Sequence, residues 1–214
     1  MRKFLPIAFL VLIFSCNQSD SKKEDVIKKD QQTDSTKKVT DSTIRKTTDH
    51  GLSWTAAADT ILKAIKERDY EKLAMFIHPQ LGVRFFPYSH IDTPVGKGFS
   101  AEALIKMAKE KNKIDWGSGF ADPEKLTIEQ YFAQYVYDKD YLKVGKKAYN
   151  SVNRGGTAEP TNLQEVYANH DIAEYFFPGT KKNGNMDWSA VRLVFENKDD
   201  TPFLVAVVYD HWTP

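Results

Sequence analysis

From Ser53 onward the apolar residues fall into helical register. Trp54, Ala57, Ala58, Ile61, Leu62 and Ile65 recur at three- and four-residue steps, with Asp59, Lys63, Lys66 and Glu67 between them, which is the pattern of a helix that turns one face to a core. Arg68-Asp69 interrupts the run. Aspartate is a good N-cap because its carboxylate accepts a backbone N–H of the first turn, so Asp69 predicts a short second helix carrying Leu73, Phe76 and Ile77 and ending at Pro79. The stretch 83–88 (VRFFPY) predicts an extended segment, with Pro87 favouring a sheet edge or a turn because proline has no N–H to donate. Ser100 predicts the cap of a third helix with Leu104, Ile105 and Ala108 as its apolar stripe, and Thr127-x-x-Gln130 is a capping box opening a fourth over 128–138, rich in tyrosine and phenylalanine.

Beyond the glycine-containing loop at 153–156 the pattern changes to β. Strands are predicted at 163–167, 172–177, 190–196 and 203–210, separated by turn-prone stretches at 169–171, 182–185 and 197–202. Strands joined by short turns are antiparallel. Helices first and an antiparallel meander last predict a single α+β domain over 51–214, in which N-terminal helices pack on the apolar face of a curved C-terminal sheet.

The first fifty residues follow a different logic. Residues 1–3 are a short basic head and residues 4–14 (FLPIAFLVLIF) an apolar run, shorter than the roughly 20 residues that span a bilayer and of the length of an export signal. The run stops at Ile13-Phe14-Ser15-Cys16, which resembles the lipobox of bacterial lipoproteins: a branched apolar residue, a small residue, then the cysteine. Phe14 stands where that motif commonly has a smaller residue. The resemblance implies a signal peptide over 1–15, cleavage before Cys16, and acylation of the Cys16 thiol and freed amine, so that lipid holds the chain on a membrane. By resemblance to other Gram-negative lipoproteins, Asn17 in place of an aspartate implies the outer membrane. Residues 16–50 have few sizeable apolar groups, such as Val26, Val39 and Ile44, and closely alternating charges; they read as a lipidated cysteine followed by a disordered tether, because such a segment cannot bury enough to offset its ordering. The alternative for 19–25 (SDSKKED) is a surface-export signal.

Charge narrows the partners. The formal net charge is +1, and removing 1–15 takes away Arg2 and Lys3, which leaves the mature chain slightly acidic before its histidines are counted. A polyanion such as nucleic acid wants a basic surface, and none is predicted. With Cys16 the sole cysteine, no intramolecular disulfide can form and the core must be held by burial.

Few residues invite chemistry. His50, His78, His90, His170 and His211 lack the local spacing of metal ligands, so neither a metal nor a cofactor is expected, and His78 before Pro79 reads as a helix-end residue bonding last-turn carbonyls. In the last strand Asp210 alternates onto the side of Leu204, Ala206 and Val208, where a carboxylate needs a partner. Arg192 in the preceding strand is the candidate. Glu174 alternates with Ile172 and Phe176 and faces the same question; a desolvated glutamate can serve as a general base, though most are satisfied by a neighbour. Trp116, Trp188 and Trp212 with Phe85 and Tyr88 could line a cleft for a flat or sugar-like ligand, or be core and rim.

The opening TILKAIKERDYEKLAMFIHP and the closing VRLVFENKDDTPFLVAVVYDHWT resemble the cone-shaped nuclear-transport-factor-2-like (NTF2-like) fold. More narrowly, Ile77-His78-Pro79, Gly82-Val83-Arg84-Phe85-x-Pro87-Tyr88, Met186-Asp187-Trp188, Arg192-Leu193-Val194-Phe195-Glu196 and Asp210-His211-Trp212-Thr213 resemble a family of exported bacterial domains with no assigned activity. The tether, the aromatic-rich sheet and the missing catalytic set together predict a non-catalytic domain that binds a small ligand or an envelope protein, with Glu174, Arg192, Asp210, His211, Trp188, Trp212, Arg84 and Tyr88 as the ligand-facing candidates. Two alternatives stand beside it: a small hydrolase or isomerase using Glu174, or Asp210 with His211, inside the cone; and a structural module that forms a homodimer through its sheet.

Overall fold

A computed structural model describes residues 51–92, 96–117, 125–152 and 161–213, all within one compact unit, Arg45–Pro214. The expected signal, Cys16, the expected tether and the 153–156 stretch lie outside the described residues. Among those described, no helix is long and apolar enough to cross a membrane.

Side-chain caps set the helix starts. In α1 (Trp54–Glu67) the Ser53 hydroxyl accepts the Ala56 N–H, and Arg68 ends the helix in the left-handed region at φ 59°. Asp69 then caps α2 (Tyr70–Ala74) by accepting the Lys72 N–H at 2.9 Å. After β1 (Val83–Phe86) and β2 (Lys97–Phe99), Ser100 caps α3 (Ala101–Glu110). A small antiparallel pair, β3 (Ile114–Asp115) and β4 (Lys125–Leu126), leads into α4 (Ile128–Tyr135), where both halves of the Thr127/Gln130 capping box form. Each such cap is worth about 1 kcal/mol. The short α5 (Tyr141–Val144), β5 (Lys146–Tyr149) and α6 (Leu163–Val166) precede three long strands, β6 (Asp171–Phe177), β7 (Ser189–Lys198) and β8 (Thr201–His211).

The fold is α+β, with helices mainly in the N-terminal half and one six-stranded sheet in the order β2-β1-β8-β7-β6-β5. Several local expectations give way. The sheet is mixed, because β1 returns to lie parallel to β8 while all other neighbours are antiparallel. β1 is therefore interior and β2 is the edge; the strand stops at Phe86, so Pro87 costs no ladder bond. Within the expected strand 163–167, Leu163–Val166 is helical and Tyr167 is a turn residue. Asn162 holds Ile91 by two side-chain bonds (Ile91 N to Oδ1 2.7 Å, Nδ2 to Ile91 O 3.1 Å), and its own carbonyl takes the Glu165 and Val166 amides, so local turn bonding overrides the apolar run. The fourth helix stops at Tyr135 and is followed by the separate α5. The edge strands β2 and β5 carry too little alternation to be read in advance, and β5 forms from Lys146, Lys147, Ala148 and Tyr149 because β6 offers it a ladder.

The sheet is covered on both faces, not on one. Facing the helices are Phe85, Ala173, Tyr175, Val191, Leu193, Phe195, Leu204 and Val207, packed with Ile61, Leu62, Leu73, Leu104, Tyr131 and Phe132. The other face buries Phe86, Ile172, Val194, Ala206 and Val208 with Ile91 and Leu163. A β-bulge divides β8 between these faces: Val194 lies opposite Ala206 but Phe195 lies opposite Leu204, so Val205 is extra. An inserted residue inverts the alternation. Leu204 therefore faces the helices while Ala206 and Val208 face away, which corrects the expected single row. The β7–β8 turn places Asp199 and Asp200 at φ 51° and 60°, the two positive values that a tight two-residue hairpin requires.

Candidate functional site

The sheet brings together three of the candidates as one ionic group. Arg192 Nε donates to Glu174 Oε2 and its Nη2 to Asp210 Oδ2, both at 2.8 Å. Glu174 is directly opposite Arg192 in the β6–β7 register, and Asp210 lies two residues beyond Val208, which is opposite Arg192 on β8. Arg192 is 1% exposed, Glu174 0% and the Asp210 side chain 14%, so only Asp210 touches solvent. The remaining guanidinium nitrogen, Nη1, is buried and makes no hydrogen bond. This trio lies on the face opposite the main helical layer, the face of Ile172, Val194 and Val208, where the short α6 packs through Leu163. It is a paired charge group more than a poised base, since the guanidinium Nε already bonds one oxygen of the glutamate.

The other candidates do not join it as one cleft. Arg84 shares that face through β1 and donates from Nη1 to the Gly96 carbonyl at 2.9 Å. Trp188 packs on Phe176 with centroids 6.0 Å apart, and its buried Nε1 has no hydrogen-bond partner. Trp212 is half-buried and meets Trp188 through its backbone N–H. Trp116 and Phe85 belong instead to the helix-side core, where Trp116 stacks on Tyr131 at 4.0 Å and donates Nε1 to the Leu126 carbonyl. His211 follows Asp210 in an extended strand, so the two side chains point to opposite faces. Asp210 and His211, the pair considered for an enzyme inside the cone, are thus divided across the sheet.

His211 and Tyr88 lie in a cluster that sequence reasoning did not assemble. At the helix-facing ends of β7 and β8 a row of rings runs Tyr88, His211, Tyr209, Tyr135, with successive centroids 6.2, 5.1 and 5.9 Å apart. Beside it Tyr141 donates its hydroxyl to Asp138 Oδ1 at 2.5 Å, and Ser189 Oγ lies 2.6 Å from that phenol and donates to the same carboxylate. Burial and the Asp138 charge push the Tyr141 and Tyr209 phenols well above their ordinary value, so both stay protonated as donors. Burial pulls the His211 imidazole down against the opposing pull of Asp210 and Asp138. It is neutral at pH 7. The group joins residues from α4, α5, the loop between them, β7, β8 and the chain after β1; Asp138-x-x-Tyr141 was its one local trace.

A second histidine departs from expectation. His78 does not bond last-turn carbonyls; its Nδ1 accepts the Gln80 and Leu81 amides at 3.2 and 3.0 Å. Its Nε2 lies 4.0 Å from one oxygen of Glu196, and His170 Nε2 lies 3.7 Å from the other. This resembles a metal site only at first sight. An Nδ1 that accepts N–H bonds leaves the proton on Nε2, so the nitrogen facing Glu196 has no lone pair for a cation. Among the described residues no group of three or more His, Cys, Asp or Glu side chains is arranged to hold a metal. An open groove of about 290 Å³ lies elsewhere, lined by Arg68, Asp69, Tyr70, Glu71, Ile105, Ala108 and Lys109, none of them an expected site residue.

No protein-family model matches the chain, and no curated protein matches its sequence. The functional reading therefore rests on the residues and their geometry.

Proposed function

We propose that this chain is a lipid-anchored protein of the bacterial cell envelope, held by acylated Cys16 beyond a flexible tether, whose domain binds a small ligand or an envelope partner without turning over a substrate. The observation that carries the binding half is the state of the expected chemical residues: Glu174, Arg192 and Asp210 are bonded to one another, and His211 lies on the opposite side of the sheet. The part-exposed rings Tyr88, Tyr135 and His211 are the surface we assign to contact, since aromatic faces bind ring-shaped or sugar-like molecules at low entropic cost. The helix pair leading into β1 and the long closing hairpin support an NTF2-like fold. The anchor is a reading of the sequence alone.

Two experiments separate the halves. Metabolic labelling with palmitate should mark the wild-type chain and not Cys16→Ser; equal labelling of both removes the anchor. For binding, saturation-transfer NMR of the full chain against neutral mono- and disaccharides should show transfer that Tyr88→Ala and Tyr135→Ala diminish. Turnover of a chromogenic ester or glycoside that Glu174→Gln abolishes would overturn the non-catalytic reading in favour of a carboxylate enzyme.

A further inference from the structure

His78 is 4% exposed and sits where α2 gives way to β1. Its main chain is fastened on both sides, His78 N to the Leu204 carbonyl at 3.1 Å and Gly82 N to the His78 carbonyl at 2.9 Å. Within the loop so closed, Nδ1 is the acceptor that the structure gives to both the Gln80 and Leu81 amides. A neutral imidazole can do this only as the Nε2–H tautomer. A proton added at Nδ1 would set three N–H groups against one another with no acceptor among them, and two amides would lose their bonds.

We propose that the turn over residues 79–82 is a proton-operated latch, closed by neutral His78 and released when that imidazole takes up one proton. The surroundings support release over accommodation. From β7, Glu196 faces Nε2 at 4.0 Å, but its other oxygen lies 3.7 Å from His170 Nε2, so the one carboxylate is divided between two imidazoles. Also from β7, Lys198 places its ammonium against the turn, donating to Gln80 Oε1 at 2.6 Å, and opposes a second cation there. From β8 the neighbour is the Phe203 ring, edge-on at 5.6 Å, which offers no acceptor. Burial and Lys198 act together to pull the imidazole below its ordinary value, against Glu196. The released segment carries Leu81, already 62% exposed, so opening needs no apolar side chain to leave the core. This device is independent of what the domain binds.

The test is amide exchange of the full chain, resolved at Gln80 and Leu81 by NMR and corrected for the intrinsic pH dependence. Because opening restores an ordinary histidine, protection at these two amides should fall about tenfold per pH unit below roughly pH 6.5, while β7 and β8 amides keep theirs. In His78→Asn the side-chain oxygen takes the place of Nδ1 and cannot titrate, so the profile should be flat; His170→Gln should keep the slope. A flat wild-type profile, the same slope in His78→Asn, or loss of the slope in His170→Gln overturns the latch. Should His78→Asn fail to fold, the ¹⁵N shifts of the wild-type imidazole decide: an Nε2–H tautomer persisting below pH 6.5 supports it, and an Nδ1–H tautomer at neutral pH refutes it.

Discussion

Replacing Glu174 by leucine tests the reading of the buried ionic trio most directly. Leucine keeps an apolar side chain of similar reach in β6 but leaves Arg192, 1% exposed, with Asp210 as its one remaining carboxylate and two guanidinium nitrogens without a bond. Removing one member of a buried pair costs roughly 3 to 5 kcal/mol, because the charge left behind has neither water nor a partner. Asp210→Leu should cost less, roughly 1.5 to 3 kcal/mol as for one hydrogen bond to a charged group, since the Glu174 bond survives. The combined replacement of Glu174, Arg192 and Asp210 by Leu, Met and Leu should recover most of the loss, since apolar groups of similar volume often replace a buried ion network at no net cost. Urea unfolding at pH 7.5 gives the midpoints, with an unchanged slope confirming that stability alone has moved. In heat the single Glu174 change should lower the melting temperature by about 2 to 4 °C per kcal/mol for a domain of this size. A loss below about 1 kcal/mol for Glu174→Leu would show that water reaches Arg192. A triple variant worse than the worst single would show that the network is itself stabilising, and either result refutes the argument.

Gly82 has φ +69°, and a Cβ there would lie 2.4 Å from the Phe99 carbonyl oxygen on β2. Gly82→Ala should therefore cost about 2 kcal/mol or more, from the left-handed backbone and the clash together, while Gly51→Ala, with a positive φ but open space, should cost only the backbone part; equal losses in a urea titration would discount the clash. His211 gives a pH dependence of definite sign. Its folded-state value is pulled down by burial, so its contribution is complete above the unfolded value near 6.5 and is lost as pH falls from there through the folded value. The urea midpoint of the wild type should decline from pH 7 to pH 5 more steeply than that of His211→Phe, and parallel curves would mean that the imidazole is freely hydrated.

Short-range features were legible before any fold was in view. Asp69, Ser100 and the Thr127/Gln130 box start the helices where their side chains predict, because a cap acts within one turn of its own backbone. The α+β class followed from helical spacing giving way to alternation, and the partnership of Asp210 with Arg192 followed from two inward-facing charges on successive strands. What spacing could not supply was anything decided between distant segments. The parallel return of β1 to β8, the edge strand β5, and the helical turn at Leu163 each depend on partners far along the chain. One extra residue, Val205, carries Leu204 to the opposite face from Ala206 and Val208. The Asp138, Tyr141, Ser189 and Tyr209 cluster, and the imidazole of His78 turned toward its own loop, arise only when strand ends and loops converge. Local pattern acts through the few residues of a turn or a pleat; tertiary pairing is chosen by burial and hydrogen bonding summed over the whole core, and no short stretch of sequence carries that sum.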